Sequence, residues 1–229
     1  MPAPITVVIP TLNAASELPA TTEALLPGLT DGLVAELIIS DGGSADQIAE
    51  VANELGARLV TGAKGRGAQL ARGVAQAGSP WLLLLHADTH LSDGWSQAVR
   101  DHMESAPDKA GYFRLGFRTK GIWPAIIAGG ANFRARFFGL PYGDQALLIH
   151  RDVLEKAGGI PDMPLMEDVA LARALRGNLR PLDATALTSA ARYEKDGWLR
   201  RAMANLGTLA LYFFGKSPQA LAERYNGKR

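Results

Sequence analysis

Three acidic positions carry the chemistry this chain can do: Asp41, Asp88 and the pair Glu167-Asp168. Asp88 ends the run WLLLLHADTHL, Trp81 to Leu91. A charged aspartate is very costly to bury unpaired, so Asp88 must emerge where the apolar run stops. A hard carboxylate there suits a divalent cation and the phosphates it bridges. The alternative is a solvated strand end. Asp41 closes a second apolar run, AELIIS, and opens Asp41-Gly42-Gly43-Ser44. That is either a tight turn with a helix cap, or a carboxylate that accepts from a nucleobase N–H or a ribose hydroxyl beside glycines that admit close approach. Glu167-Asp168 opens a helix behind Gly158-Gly159-Ile160-Pro161. Acidic residues favour a helix N-terminus electrostatically; alternatively one of the two takes the proton from an attacking hydroxyl. Asp144, just before Gln145, is a further acidic candidate near the same place. Gly62, Lys64, Gly65, Arg66 and Gly67 form a basic, glycine-rich loop that either cradles phosphate or is simply solvated.

These residues need a scaffold that brings them together. ITVVIP (Ile5 to Pro10), AELIIS (Ala35 to Ser40), ARLVT (Ala57 to Thr61) and Trp81 to Leu85 read as buried strands. Helical patterns separate them, one from near Ser16 with Pro19 in its first turn, one capped by Ser44, and one over Gln69 to Ala77. The series is βαβαβαβ, which implies a parallel sheet with right-handed crossovers. All parallel strands point one way, so Pro10-Thr11, Asp41 and Asp88 land on one rim, where open α/β sheets bind ligands. The enzymatic reading expects the acidic groups at 41, 88 and 168 to converge around one cavity, and it fails if they scatter onto separate surfaces with 168 too remote to approach a sugar beside 88.

The second half is less regular. Ser92 to Ala106 predicts a helix, Tyr112 to Thr119 a more exposed strand, and Gln145 to His150 another strand. Ile122 to Gly139 is apolar, aromatic and arginine-bearing, and is interrupted by Pro124 and Gly129-Gly130. Met166 to Arg176 reads as a helix, and Trp198 to Gly215 as a final hydrophobic helix before a polar tail.

Composition narrows the classes. Net charge is +1, and no basic stripe points to nucleic acid. There is no cysteine, which excludes disulfides and thiolate metal sites and fits a reducing compartment. No leader pattern precedes the first strand, and no apolar run reaches the roughly 20 residues that span a bilayer. We therefore expect a cytoplasmic protein, with the inner face of the membrane as a second station. The basic loop lacks Walker spacing, and the first strand is followed by Pro-Thr-Leu-Asn rather than a dinucleotide fingerprint.

In order, VVIPTLN, IISDGGSAD, LLLLHADT and MEDVAL resemble the family 2 glycosyltransferases of the GT-A fold. GDQ (Gly143 to Gln145) and RYEKDGW (Arg192 to Trp198) resemble a short bacterial branch labelled selenodomain-associated transferase 2. The resemblance implies a GT-A domain over 1–195, with a nucleotide half of about 1–91 and an acceptor half of about 92–195. The hydrophobic helix and tail, 196–229, would pack on it or extend from it. It also implies a nucleotide-diphosphate sugar donor, foremost a UDP-sugar, a divalent cation (Mn2+ or Mg2+) and inversion at the anomeric carbon. Pro10, Thr11, Asn13 and Asp41 would hold base and ribose. Asp88 matches the last aspartate of the DXD motif and would bind the metal, with His86 and Ala87 beside the donor. Asp168, flanked by Glu167, matches the catalytic base, and Lys64 and Arg66 lie where a basic residue meets donor phosphates. Asp144, Gln145 and Trp198 fall on the acceptor side. Three positions depart from the pattern: His86 replaces the first DXD aspartate, Ala14 a frequent glutamate, and Leu70-Ala71 an Arg-Asn pair. His86 is left to contact either ribose or a softer metal.

Two aromatic segments, Ile122 to Phe138 and Trp198 to Phe214, bear on the acceptor. Such stripes usually pack in a core or a homodimer interface; the alternative is an interfacial helix near a lipid acceptor. Competing classes are a non-catalytic nucleotide-binding scaffold, a nucleotidyltransferase and, least favoured, a dehydrogenase.

Overall fold

The computed structural model describes residues 3–226. The four apolar runs form β1 (Ile5–Thr11), β2 (Val34–Asp41), β3 (Arg58–Thr61) and β4 (Trp81–Leu84), paired in parallel. Their side chains alternate between two cores. Ile5, Val7, Ile9, Leu83 and Leu85 enter one, and Val8, Leu82 and Leu84 enter the other. Both faces are therefore buried, which is why these strands read as unbroken apolar runs rather than alternating ones. Helices α1 (Leu18–Glu23), α2 (Leu26–Thr30), α3 (Ile48–Glu54) and α4 (Arg66–Gln76) make the connections. A Cβ on Gly73 of α4 would lie 2.5 Å from Val8 Cγ1, so that glycine lets α4 settle directly on β1.

After β4 the chain leaves the parallel layer. It continues through β5 (Thr89–Leu91), α5 (Trp95–Ser105), β6 (Ala110–Phe117), α6 (Ile122–Phe138), a 3-10 turn (Gly143–Gln145), β7 (Leu147–His150), α7 (Arg151–Lys156) and α8 (Glu167–Ala174). β8 (Leu179–Thr188), α9 (Ala191–Asp196), α10 (Trp198–Phe213) and α11 (Pro218–Asn226) follow. One eight-stranded sheet results, in the order β3-β2-β1-β4-β7-β6-β8-β5. β7 is antiparallel to β4 and β6, and β6 runs parallel to β8. β5 lies at the far edge of that order although it begins five residues after β4 ends. An extended chain covers at most about 3.6 Å per residue. The sheet must therefore curl, bringing β5 and β8 back beside the end of β4, where Asp88 sits.

Several local expectations are corrected. The cap of α1 is Glu17, not Ser16, and that of α3 is Gln47, because Ser44 is engaged by Asp41 instead. α4 begins three residues earlier than its pattern suggested, at Arg66. β6 is largely buried, not exposed, because β7 and β8 flank it. Ile122 to Phe138 is one uninterrupted helix. Pro124 lies in its first turn, where no intrahelical N–H bond is lost. The short β5 and the long β8 were absent from the sequence reading, as were α7 and α9. The polar tail carries α11, which buries Leu221.

The aromatic helices turn most of their large apolar side chains to solvent. Trp123, Ile126, Phe133 and Phe137 of α6 are exposed, as are Leu199, Met203, Leu206 and Phe213 of α10. Their small and inner residues do pack inward: Ala131 and Ala135 of α6 are buried, and Trp198 stacks on Tyr193 (5.1 Å, 24°) and meets Phe117 edge-on. Among the described residues no helix is long and apolar enough to cross a membrane.

Candidate functional site

The rim at the carboxyl ends of β1, β2 and β4 builds the site. Thr11 and Asp41 are register partners, and Thr11 Oγ1 donates to Asp41 Oδ1 at 3.1 Å. Asp41 Oδ2 accepts from the Gly43 and Ser44 N–H groups, each at 2.8 Å, and Ser44 Oγ donates to Oδ1. Burial pushes the Asp41 carboxyl up, but these hydrogen bonds outweigh it and hold its pKa below the ordinary value. Asn13 adopts φ 52°, in the left-handed region. Its N–H donates to Ser44 Oγ and its Oδ1 accepts from the Ala45 N–H. Gln69, from α4, donates to the Thr11 carbonyl at 2.6 Å and to that of Ser40 at 3.1 Å. The β1 and β2 loops are thereby fastened to one another. Four protein donors fill the Asp41 carboxylate, the full capacity of its two oxygens.

A second group of acids faces an open cleft of about 150 Å³ beside this rim. Asp88, Asp144 and Asp168 line it together with Arg66, His86 and Tyr142. Asp168 opens α8, and Met166 before it is held at φ 70°, a conformation rare for a non-glycine residue and concentrated at functional sites. Asp168 Oδ2 accepts from the Gly143 N–H at 2.8 Å, and Oδ1 from the Val169 N–H at 2.7 Å. Gly143 can come this close because it lacks a side chain. A Cβ there would lie 2.6 Å from His86 Nε2 and 3.5 Å from Asp168 Oδ2.

Neighbouring Glu167 is 1% exposed and neither carboxylate oxygen has a hydrogen bond, although Arg66 Nε faces Oε1 at 3.5 Å. A small apolar cavity of about 50 Å³, walled by Leu70, Leu84, Ile160 and Leu171, adjoins it. Desolvation first, and the Asp168 charge second, push Glu167 up to about 7 against the pull of Arg66. Asp144 is likewise raised to about 6, first by burial and then by Asp168 and Asp88, while Arg134 and Arg66 oppose the shift. Burial, Arg66 and Arg192 hold the His86 imidazole well below its usual pKa, so it is neutral at pH 7.

Of the residues expected at the site, Asp88, Asp144, Asp168, Arg66 and His86 share this cleft, and Glu167 lies directly behind it. The expected convergence is met by 88 and 168 only. Asp41 does not line the cleft; it sits in the adjoining loop lattice with Pro10, Thr11 and Asn13. Lys64 is exposed and lines neither cavity. Ala87 is buried, and its carbonyl accepts from Thr21 Oγ1. Gln145 is fully buried and donates to the Phe113 carbonyl, so it supports the turn rather than meeting an acceptor. Trp198 is separated from the cleft by the Tyr193 ring on which it stacks.

Sequence reasoning missed the far wall: Ser189, Arg192, Tyr193, Arg201, Asn205 and Thr208. Part of it was visible as the polar run RYEKDGW, but a cleft-facing row on α10 is hidden in an apolar helix. Among the described residues no three His, Asp or Glu side chains gather into a metal cage.

A curled mixed sheet with acids gathered at its parallel-strand rim defines a GT-A protein, and solved structures of that class superpose on this chain. Glucosyl-3-phosphoglycerate synthase from Mycobacterium tuberculosis, in complex with Mn2+, UDP and glucosyl-3-phosphoglycerate, matches 89% of this chain and 78% of its own with a TM-score of 0.60 and 19% identity. S. aureus TarS matches 80% of this chain and 57% of its own, with a TM-score of 0.57 and 13% identity. The chain belongs to glycosyl transferase family 2, whose model matches residues 6–138. PGL/p-HBAD biosynthesis glycosyltransferases of Mycobacterium bovis and M. tuberculosis are 37% identical over 99 residues. That match spans 40% of this chain and 38% of those relatives.

Proposed function

We propose that this chain transfers a sugar from a nucleotide-diphosphate sugar, foremost a UDP-sugar, to an acceptor hydroxyl, with inversion at the anomeric carbon. One observation carries the reading: Asp88 and Asp168 open on the same cleft, with Arg66 on its wall. Family membership and the UDP and Mn2+ held by glucosyl-3-phosphoglycerate synthase support it.

Asp168 is the base. Its two backbone hydrogen bonds aim the carboxylate into the cleft, where it takes the acceptor proton as the acceptor oxygen bonds to the anomeric carbon. The bond from that carbon to the diphosphate breaks, and negative charge collects on the departing nucleotide. Arg66 lies where it can meet that charge. Asp88 suits a cation-bridged diphosphate: it is a hard carboxylate in the cleft that no described residue hydrogen-bonds. Mg2+-type sites take one or two carboxylates and complete themselves with substrate phosphates. A divalent cation, when bound there, supplies charge neutralisation on the leaving group. Neutral His86 is left to face the ribose or the same cation.

Thr11, Pro10 and Asn13 shape the nucleoside end, and Asp41 holds their loops in place. Asp144 faces the acceptor side. In the fuller form of this reading a lipid carries the acceptor hydroxyl, a version supported by exposed α6 and α10.

A thermal-shift screen of UDP-, GDP- and dTDP-sugars, with and without Mn2+, tests the donor class. A ligand at ~100 Kd raises stability by about 2.7 kcal/mol. We expect a UDP-sugar to shift the midpoint only with Mn2+, and Asp88→Ala to abolish that dependence. Calorimetric affinity indifferent to Mn2+ removes Asp88 from the role. No shift with any nucleotide sugar removes the reading.

A further inference from the structure

Helices α6 and α10 touch one another, and each presents a row of large apolar side chains to solvent. On α6 the row is Trp123, Ile126, Phe133 and Phe137; on α10 it is Leu199, Met203, Leu206 and Phe213. Monomeric proteins seldom expose a contiguous apolar surface of this kind unless something binds it. The α10 row is one face of the helix. Arg201, Asn205 and Thr208, on the other face, line the cleft.

The charge around the rows decides what covers them. No aspartate or glutamate occurs between Asp108 and Asp144, nor between Asp196 and Glu223. Both helices lie wholly inside these acid-free stretches. Lys120, Arg136, Arg200 and Lys216 are exposed within them and join no ion pair among the described residues. The chain as a whole is almost neutral, at +1, whereas these two stretches carry cations and no acid. A second copy docked by the same face would set cation against cation. An anionic lipid surface answers both features at once: the acyl boundary takes the aromatic and aliphatic side chains, and the headgroups take the cations.

We infer that the α6–α10 face docks on an anionic bilayer surface. This goes beyond the transfer reading and stands without it, because docking needs neither donor nor metal. It also sets the cleft one helix away from the membrane.

The test is flotation of the full chain, without nucleotide or cation, on vesicles of phosphatidylcholine with phosphatidylglycerol and on vesicles of phosphatidylcholine alone. We expect binding to the mixed vesicles only, weakened by salt. Each surface cation contributes about fivefold to the partition. Arg136→Gln with Lys216→Gln should therefore lower it by more than tenfold, and Phe137→Ser with Leu206→Ser should abolish it. Unchanged circular-dichroism melts show that these exposed substitutions leave the fold intact; Lys120→Gln, outside both helices, serves as a second probe. Three results overturn the inference. One is absence of flotation on mixed vesicles. Another is flotation indifferent to all three variants. The last is a stable dimer in sedimentation that the apolar double variant dissociates. Flotation without sugar transfer keeps this inference and counts only against the transfer reading; transfer without flotation does the reverse.

Discussion

Asp41 and Glu167 are both buried carboxylates at the same end of the sheet, 3% and 1% exposed, yet their surroundings are opposite. Asp41 receives four hydrogen bonds and its pKa is lowered. Glu167 has only the Arg66 guanidinium at 3.5 Å, borders an apolar cavity beside the like charge of Asp168, and is raised to about 7. The same contrast divides the two regions around them. The β1 and β2 loops form a polar lattice around a fully hydrogen-bonded Asp41, although Ser40 Oγ and Arg72 Nε beside it are buried without partners. On the other side Glu167, Asp144 Oδ1, the Tyr142 hydroxyl and Arg134 Nη2 are buried without hydrogen bonds. Unsatisfied buried groups are costly, so a native protein keeps few of them. The acids of the cleft side are thus held at a cost in stability, while the Asp41 hydrogen bonds hold the frame.

The comparison can be broken at four points, the largest effect first. Asp168→Asn should lower turnover by about 10²–10⁴-fold while donor affinity survives, since general-base catalysis supplies that much. Steady-state kinetics with calorimetry checks it, and near-native turnover would remove Asp168 as base. Asp41→Ala should destabilise the fold by roughly 3 kcal/mol, because it strands buried donors that a charged acceptor had satisfied. Denaturant titration measures this; a loss under half that size would show the lattice to be dispensable.

Gly143→Ala comes next. The new methyl must displace His86 and disturb the N–H that holds Asp168, at a cost of about 1–3 kcal/mol. We expect lower turnover with little change in donor affinity, and a fully active variant would show that the close approach is not needed.

The smallest effect has the opposite sign. Glu167→Gln should stabilise the protein. A carboxyl whose folded pKa is raised costs stability as pH rises from its unfolded value, about 4.3, through its folded value. The gain in midpoint should therefore be small at pH 5 and grow to roughly 1–3 kcal/mol at pH 8. Asp41 has the reverse linkage: its lowered pKa supports the fold above the unfolded value, and that support is lost as pH falls through the folded one. Parallel pH slopes for Asp41→Ala and Glu167→Gln would erase the distinction between the two carboxylates.

Much of the first half was legible along the chain. Strands buried on both faces are written as continuous apolar runs, and an aspartate that ends such a run has to surface at the rim. Both landed at the rim: Asp41 ends β2, buried but fully hydrogen-bonded, and Asp88 lies in the turn between β4 and β5. The second half was harder. β6 carries Arg114 and two glycines, so it reads as exposed, but two flanking strands bury it. The short β5 is only three residues and leaves no periodicity to detect. Gln145 sits beside acidic Asp144 in sequence, yet its side chain points into the core. Exposure of α6 and α10 was not legible either, because an aromatic stripe looks the same whether the protein or something outside it provides the cover.

The order of the motifs and the parallel direction of the first four strands determined that Thr11, Asp41 and Asp88 would share an edge, since strand polarity is a property of connection length and apolar patterning. Tertiary structure alone decided that Asp168 would join Asp88 while Asp41 stood apart. That outcome depends on how the sheet curls and on how closely Gly143 approaches α8. Both are set by contacts between residues far apart in the chain, which no local pattern encodes.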